Sequence, residues 1–370
     1  MKITLKTIAE AADVSVSTAS RALKGHPSIS KERTLHIRDI AERLNYPSRN
    51  HVLNGKKILK PNGILAGKTI ALVSLGMHHS LLSLPAVALT INSAVAELSL
   101  HGAKVTLAHI PDLEHAPHSL AVNKLDGIII SGNSQGDAIG KCQSEVIQRL
   151  RELPSVWLLA RPLACWGDVA GSNDYTTGQL AARYLIEQGH RRLAFVNPKP
   201  DHKVFMRRED GFIAYARRQG IDVCSFCEAP ASGWPLPVQP ALTTDAVETL
   251  VERLLQHQPR PTAIFAAADS VAAALYRAFS ARGIIVGEEI SVISANDDQA
   301  LTAGLYPRLT TFDIHAEQIG RVAVAQLATR LSQSQPLVEN EILLEPTLVE
   351  RDSVRQHCQT SSLCSGMKAS

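Results

Sequence analysis

The chain of 370 residues has the composition of a globular protein, with 45% hydrophobic and 20% charged residues, and is long enough for two or three domains. It contains no apolar run of the roughly 18 residues that span a membrane, and its N-terminus lacks the apolar core of a secretory signal. The six cysteines are too sparse for a disulfide scaffold. We therefore expect a reduced, cytoplasmic protein without membrane segments.

The net charge of +3 is distributed unevenly along the chain. Residues 1–60 contain twelve lysines and arginines and five acidic residues, a net charge of +7 that leaves −4 for the remainder. A basic head on a mildly acidic body favours a polyanion as the partner of the head. A solvated charged face is the alternative that the charge alone leaves open.

Three short helices are predicted within the basic head. Apolar residues recur at helical spacing over residues 5–12 and form the first helix. Ser15 is a suitable N-cap for a second helix from Val16 to Leu23, and Ser30 is a suitable N-cap for a third. A close turn between the first two of three helices is typical of a small all-α helix-turn-helix domain.

The second helix has the side chains of a DNA-recognition helix. Small residues allow its backbone to approach the floor of a major groove about 12 Å wide. Ser17, Thr18 and Ser20 can donate hydrogen bonds to phosphates or base edges, and Val16 can contact a thymine methyl group. Arg21 can bind guanine through two hydrogen bonds or clamp a phosphate. A small helix that only packs against its neighbours is the alternative.

The stretch "TLKTIAEAADVSVSTASRALKGHPSISKERTLHIRDIAERLNYPS" resembles the headpiece of the lac/galactose repressor family of bacterial transcriptional regulators along its whole length. The resemblance implies a helix-turn-helix headpiece over residues 1–47 that binds a palindromic double-stranded DNA operator, with the chain acting as a homodimer or a tetramer. It also implies base contacts from Val16, Ser17 and Arg21, backbone contacts from Thr18 and Ser20, and further DNA contacts from Thr4 and Ser30.

Residues 48–67 correspond to the hinge or linker of that family. There a hinge helix inserts a leucine into the minor groove and kinks the DNA, and Leu53 in "VLNGK" matches that leucine. Only seven residues separate Tyr46 from Leu53, and Pro61 and Gly63 follow. A flexible basic linker is therefore the alternative to a hinge helix.

From Lys68 onward, strand-like runs alternate with helical runs. Strands are predicted at "TIALVSL", "AKVTLAHI", "DGIIISG", "SVWLLA", "RRLAFVN", "TAIFAAA" and "EISVISA". This alternation predicts parallel α/β sheets, which bind ligands at the carboxyl ends of their strands. The polar, small-residue-rich segment 353–370 is expected to form a disordered tail.

The resemblance covers about residues 4–352 and continues through "EQGHRRLAFV", "REDGFIAYARRQGI" and "ISVISANDD". It implies a periplasmic-binding-protein-like α/β domain over residues 68–352. Two parallel-sheet lobes, joined by three crossovers, would hold a small-molecule effector between them and provide the dimer contacts.

The resemblance also assigns effector-binding residues. Arg208 corresponds to the arginine that grips ligand oxygens, with a surface salt bridge as its alternative role. Asn296 and Asp297 correspond to a pair of aspartates, so the first carboxylate is replaced by an amide. Ala160 and Ala268 replace an aspartate and an asparagine of the family pattern, and "HHSLLSLP" replaces "NPFF".

Fewer acceptor carboxylates beside a retained arginine predict an anionic effector, because a carboxylate repels an anion. A sugar acid or a sugar phosphate has this chemistry, and a neutral sugar is the alternative. No residue pattern calls for a cofactor or a metal.

Enzyme signatures are missing from the sequence. There is no GxGxxG after a first strand, no Walker A motif and no GxSxG. We expect no catalytic role for His78, His79 and Ser80, because neighbours on one strand point in opposite directions. Cys224 and Cys227 form a C-x-x-C pair without two further zinc ligands, and are expected to be half-buried structural residues.

Together these features predict a transcriptional repressor, not an enzyme, whose operator affinity is modulated by a small metabolite. A ligand-independent DNA-binding repressor with a degenerate pocket is one alternative. A transport-type sugar-binding protein is the other, although the basic head and the absent signal argue against it.

Overall fold

The computed structural model describes residues 5–23, 26, 29–30, 33–34, 36–37, 40–41, 63–118, 120, 124–229, 235–239, 243–333 and 338–357. The chain divides into two compact units, residues 1–62 and residues 63–370. The expectations for Thr4, for Leu53 and its hinge helix, and for residues 358–370 lie outside the described residues.

The first unit contains the predicted helices α1 (Leu5–Ala11) and α2 (Val16–Leu23). The N–H of Thr18 donates to Ser15 Oγ at 3.1 Å, which confirms Ser15 as the N-cap of α2. Helical residues also occur among those described between 33 and 41, and the N–H of Arg33 donates to Ser30 Oγ at 3.3 Å. A small apolar core joins these segments and contains Ile8, Ala12, Ala22, Ile37 and Ala41.

The second unit is built from two sheets, each with six strands among the described residues. The first sheet forms lobe 1, and its strand order is β11-β5-β4-β3-β1-β2, with every neighbouring pair parallel. Its strands are β1 (Thr69–Leu75), β2 (Lys104–Ile110), β3 (Gly127–Gly132), β4 (Ser155–Leu158), β5 (Asp168–Ser172) and β11 (Glu341–Leu344).

The second sheet forms lobe 2, and its strand order is β12-β10-β9-β8-β6-β7. Only β12 runs antiparallel to its neighbour, and the other pairs are parallel. The strands are β6 (Leu193–Asn197), β7 (Val223–Cys227), β8 (Ala263–Ala266), β9 (Ser291–Asn296), β10 (Thr310–Asp313) and β12 (Thr347–Val349).

Helices cover the faces of both sheets, because near-continuous apolar strands such as "TIALVSL" need burial on two sides. Lobe 1 carries a 3-10 helix (His79–Ser83), α3 (Pro85–Leu100), α4 (Ala138–Lys141), α5 (Glu145–Arg151) and α11 (Ala316–Ser332). Lobe 2 carries α6 (Asp174–Glu187), α7 (Lys203–Arg218), α8 (Thr243–Gln256), α9 (Asp269–Ser280) and α10 (Gln299–Thr302).

Three chain crossovers connect the lobes, as the resemblance implies. They lie between β5 and α6, between β10 and α11, and between β11 and β12. Hydrogen bonds tie the crossovers together: Asn173 Nδ2 donates to Glu345 Oε1 at 2.8 Å, and His315 Nε2 lies 2.9 Å from Thr347 Oγ1. The crossovers are therefore bonded to one another, and the lobes also meet where the N–H of Val238 donates to the carbonyl of Gly76 at 3.0 Å.

The ordered body extends past the expected start of the tail at residue 353. Ser353 is fully buried, accepts the N–H of Thr310 at 2.8 Å and donates to the carbonyl of Val292 at 2.6 Å. The N–H of His357 donates to the carbonyl of Gln188 at 2.7 Å. Polar composition suggested a loose tail here, but these polar groups pair with lobe 2.

The predicted strands of the body are confirmed, and short ones are added. Strand β5, read "DVAGS", has too few large apolar residues to be recognised, and β10, β11 and β12 have only three or four residues. None of the described helices is long and apolar enough to cross a membrane.

Candidate functional site

A cavity of about 240 Å³ lies between the two lobes. The carboxyl ends of the parallel strands, or the loops that follow them, form its walls, as expected for this fold. Lobe 1 contributes residues 131–135 from the end of β3 onward, residues 158–160 from the end of β4 onward, and Ser172 at the end of β5. Lobe 2 contributes Lys199 after β6 and residues at the ends of β8 and β9.

Arg208 lines this cavity from helix α7, and its side chain is only 1% exposed. Its Nε donates to Asp174 Oδ1 at 3.0 Å, its Nη1 to the carbonyl of Ala267 at 2.7 Å, and its Nη2 to Asn296 Oδ1 at 3.0 Å. A guanidinium group has five N–H donors, so two remain for a ligand. Arg208 is thus not a surface salt-bridge residue.

Two glycines bring α7 close enough to α6 for this arrangement. A Cβ atom built on Gly178 would lie 2.0 Å from the carbonyl oxygen of Arg208, and one on Gly211 would lie 2.0 Å from that of Tyr175. No side chain fits at such distances. Gly211 therefore permits the helix contact that positions Arg208.

Asp174 is the buried counterion of Arg208. Its side chain is 5% exposed, and it occupies the first turn of α6. Burial raises the pKa of Asp174 above its ordinary value, whereas the charge and the hydrogen bond of Arg208 oppose the rise. The ion pair therefore keeps two otherwise costly charges in the cavity wall.

The structure brings Asn296 to Arg208 but directs Asp297 elsewhere. Asn296 lines the cavity, whereas Asp297 does not and accepts a hydrogen bond from Arg351 Nη2 at 2.6 Å. Both residues have positive φ, 130° and 49°, so the chain turns sharply after β9. The turn places the next residue, Asp298, in the cavity wall instead.

Asp298 is a buried carboxylate that sequence reasoning did not select. The residue is 6% exposed, and within the described residues its Oδ1 has no hydrogen-bond partner. Burial, followed by the charge of Asp269, raises the pKa of Asp298 to about 6. Asp269 fixes the turn, because it accepts the N–H of Asp298 at 2.6 Å and the hydroxyl of Thr311 at 2.7 Å.

Lys199 and His202 are two further cavity residues absent from the sequence-based set. Burial lowers the pKa of Lys199. Burial, with smaller contributions from Lys199 and Arg208, lowers the pKa of His202 to about 3, so this imidazole is neutral. His202 Nε2 lies 2.9 Å from Ser134 Oγ and thereby links lobe 2 to lobe 1.

Several buried polar atoms of the cavity residues have no hydrogen-bond partner in the part of the chain that the structure describes. They are Gln135 Oε1, Ser172 Oγ, His202 Nδ1 and Asp298 Oδ1. Buried polar groups are normally paired, so such a cluster in one cavity indicates a polar ligand or bound water. The position of Lys199 and Gln135 two to three residues after predicted strands was the signal that could have identified them.

The positions where the sequence departs from the family pattern also lie at the cavity. Ala160, Ala268, Leu81 and Leu84 all line it. The alanines remove polar side chains, and the two leucines of "HHSLLSLP" provide an apolar wall. Part of the cavity wall is therefore polar and comes from both lobes, and another part is apolar.

Helix α2 exposes the side chains that were predicted to read bases. Val16, Ser17 and Arg21 are exposed, whereas Ala19 and Ala22 are buried in the core of the first unit. Thr18 and Ser20 are half-buried. Residues 16, 17 and 21 are therefore the exposed members of this predicted set.

The histidine pair His78 and His79 and the cysteine pair Cys224 and Cys227 are not among the residues that line the cavity. His78 and His79 lie at the start of the 3-10 helix rather than on a strand, and His78 Nδ1 lies 2.8 Å from Ser80 Oγ. Burial raises the pKa of the Cys227 thiol to about 12, which disfavours a reactive thiolate. Among the described residues, no group of three or more His, Cys, Asp or Glu side chains is arranged to hold a metal ion.

Two family models match the chain. Residues 4–48 match the model for bacterial regulatory proteins of the lacI family, and residues 182–354 match a periplasmic binding protein-like domain. The probable HTH-type transcriptional repressor ExuR of Bacillus subtilis (strain 168) is 28% identical over 359 residues. The match covers 96% of this chain and 99% of that relative.

Solved structures show the same fold. The chain is similar to a transcriptional regulator CelR–cellobiose complex, with a TM-score of 0.62 and 21% identity over 95% of this chain and 99% of that one. It is also similar to a lac repressor dimer bound to operator and the anti-inducer ONPF. There the TM-score is 0.61 and the identity 22%, over 96% of this chain and 100% of the other.

Proposed function

We propose that the chain, which belongs to the lacI family of bacterial regulatory proteins, represses transcription from a palindromic operator. A small molecule bound between the lobes would set the affinity of the protein for that operator. The cavity carries this proposal, because both lobes contribute polar atoms to it that have no hydrogen-bond partner among the described residues. The cellobiose complex of the similar CelR structure supports a sugar or sugar derivative as the effector.

The headpiece would read the operator through the exposed face of α2. Arg21 would bind guanine, Ser17 would bond to a base edge, and Val16 would contact a thymine methyl. Thr18 and Ser20 would hold the phosphate backbone, as Ser30 and Thr4 would at other points. Leu53 would insert into the minor groove if the hinge forms a helix on DNA.

A homodimer would present two headpieces to the two half-sites of the operator. The flank of lobe 1 supports this arrangement: Leu107 on the edge strand β2 is 64% exposed and shares a groove with Ala88 and Ile91 of α3. An exposed leucine on an edge strand favours contact with a second chain. The lac repressor dimer on operator has the same fold.

Effector binding would act through the crossovers. A ligand that bridges Arg208 and Asn296 of lobe 2 and residues 131–135 of lobe 1 favours one separation of the lobes. The bonded crossovers at Asn173 and His315 would transmit this change in lobe separation to the dimer and hence to the spacing of the headpieces. Coupling of this kind amounts to about 1–3 kcal/mol.

Selection of DNA from a random duplex pool, followed by sedimentation of the complex, tests the proposal. We expect an enriched palindrome bound by two chains. Leu107→Glu should yield a monomer with weaker operator binding, and Leu163→Glu, at an exposed leucine away from that groove, should not. Enrichment of no sequence, or of an asymmetric one bound by a single chain, would contradict it. A repressor of a chromosomal operator would act in the cytoplasm.

A further inference from the structure

Lys199 is an unpaired cation in the cavity wall. Within the described residues its ammonium group forms neither an ion pair nor a hydrogen bond, and no carboxylate compensates for its burial. Its backbone is fixed independently, because its N–H donates to Asn197 Oδ1 at 2.8 Å and its carbonyl accepts the N–H of His202 at 3.0 Å. The loop thus holds a half-buried charge that has no partner among the described residues.

The other basic side chains at the cavity are not equivalent to Lys199. Arg208 is neutralised by Asp174 at 3.0 Å, and His202 is uncharged because its pKa is about 3. A buried ammonium group without a counterion is costly, since desolvation penalises its charge. Of these basic side chains, Lys199 would therefore stabilise a bound anion most.

Asp298 contributes a negative group to the cavity wall, in contrast to the positive Lys199. Its unpartnered Oδ1 can accept a hydrogen bond from a hydroxyl group, and its negative charge disfavours an anion at that point. One cavity thus presents an anion-binding group and a hydroxyl acceptor. A polyhydroxylated acid carries both complementary groups.

We propose that Lys199 binds an anionic oxygen group of the effector, a carboxylate or a phosphate, while Asp298 accepts a hydrogen bond from a hydroxyl group of the same molecule. The inference rests on the proposed function only in taking this cavity as the effector site. The preference for an anion would then come from Lys199, which follows β6, and not from Arg208, as the sequence suggested.

The test compares the thermal unfolding of the full chain with that of Lys199→Met. Lys104→Met is the matched control, because Lys104 is an exposed lysine on β2. Probes are sodium acetate, sodium phosphate, gluconate, glucuronate, glucose 6-phosphate and glucose, each against sodium chloride at equal ionic strength. Acetate and phosphate probe the anion site alone, and the sugar acids and the sugar phosphate distinguish carboxylate from phosphate.

We expect at least one of these anions to raise the unfolding midpoint of the wild type and of Lys104→Met by several degrees at saturation, and not that of Lys199→Met. In chloride, Lys199→Met should be as stable as the wild type or more so, because an unpaired, half-buried charge is removed. Equal anion responses of Lys199→Met and wild type, stabilisation by glucose alone, or no response to any anion would overturn the inference. If the proposed function were wrong, operator binding would be absent. That binding is measured in a separate experiment, so the two failures are distinguishable.

Discussion

Arg208 and Asp174 form a buried ion pair that joins the middle of α7 to the first turn of α6, with Arg208 Nε 3.0 Å from Asp174 Oδ1. The two side chains are 1% and 5% exposed. The arginine is therefore held by the protein before any effector binds. Arg208 lines the cavity, and its charge is already compensated there by Asp174.

Removal of one partner of this pair should destabilise the second unit strongly. Arg208→Met leaves Asp174 buried without a counterion, and we expect a loss of about 3–5 kcal/mol in the free energy of unfolding. Asp174→Asn should also destabilise. The double variant should lose less than the sum of the two single variants, because neither charge is then left alone. Urea denaturation measures all four proteins, and additive losses would contradict the pairing.

Asp298 should make stability depend on pH in a defined window. Its pKa is about 6 in the folded protein and near 3.8 in the unfolded chain. Between these values the folded state retains a proton that the unfolded state has released, so the free energy of unfolding falls as pH rises from about 4 to 6. Asp298→Asn removes this contribution. The stability of Asp298→Asn relative to wild type should increase across the window and stay constant above it.

Urea midpoints at half-unit steps from pH 4 to pH 7.5 provide the measurement. The difference between variant and wild type isolates Asp298 from the other titrating groups. A difference that is flat over this range would show that the carboxylate has an ordinary pKa.

The close contact of α6 and α7 should make Gly178 intolerant of substitution. Its Cβ would lie 2.0 Å from the carbonyl oxygen of Arg208, so Gly178→Ala must push the helices apart and displace the guanidinium group. We expect a loss of about 1–3 kcal/mol in stability, together with weaker effector binding. Gly304→Ala is the matched control, since no heavy atom lies within 4 Å of its added Cβ, and should change stability by less than about 0.5 kcal/mol.

Arg21 should carry base recognition in the headpiece. A good bidentate contact to guanine discriminates by about 1–3 kcal/mol, so Arg21→Met should weaken operator binding about 5- to 150-fold and relax specificity at one position of each half-site. Arg183→Met, which removes an exposed arginine of α6, is the control and should leave operator affinity unchanged. Fluorescence anisotropy with selected and scrambled DNA separates loss of specificity from loss of charge.

Sequence reasoning identified the main elements because their patterns are local. The cap at Ser15, the helix Val16–Leu23 and the strand Thr69–Leu75 each follow from neighbouring residues and match the structure. The assignment of Arg208 to the cleft came from resemblance, and the structure does place it in the cavity wall.

The parts that escaped prediction depend on distant residues. The pairing of Arg208 with Asp174 joins positions 34 residues apart on two helices. The choice of Asp298 over Asp297 follows from a turn with positive φ after β9, which composition does not reveal. Lys199 has no motif of its own, and only the convergence of strand ends at one cavity shows its environment.

The central claim is that a small molecule in the cavity changes operator affinity. The most direct measurement is the dissociation constant of the full chain for its selected operator, with and without the fraction below about 1 kDa of an extract from the source cells. The account predicts a change of about 5- to 150-fold, which corresponds to coupling of 1–3 kcal/mol. An affinity that stays the same at every concentration of that fraction would contradict it and favour a ligand-independent repressor.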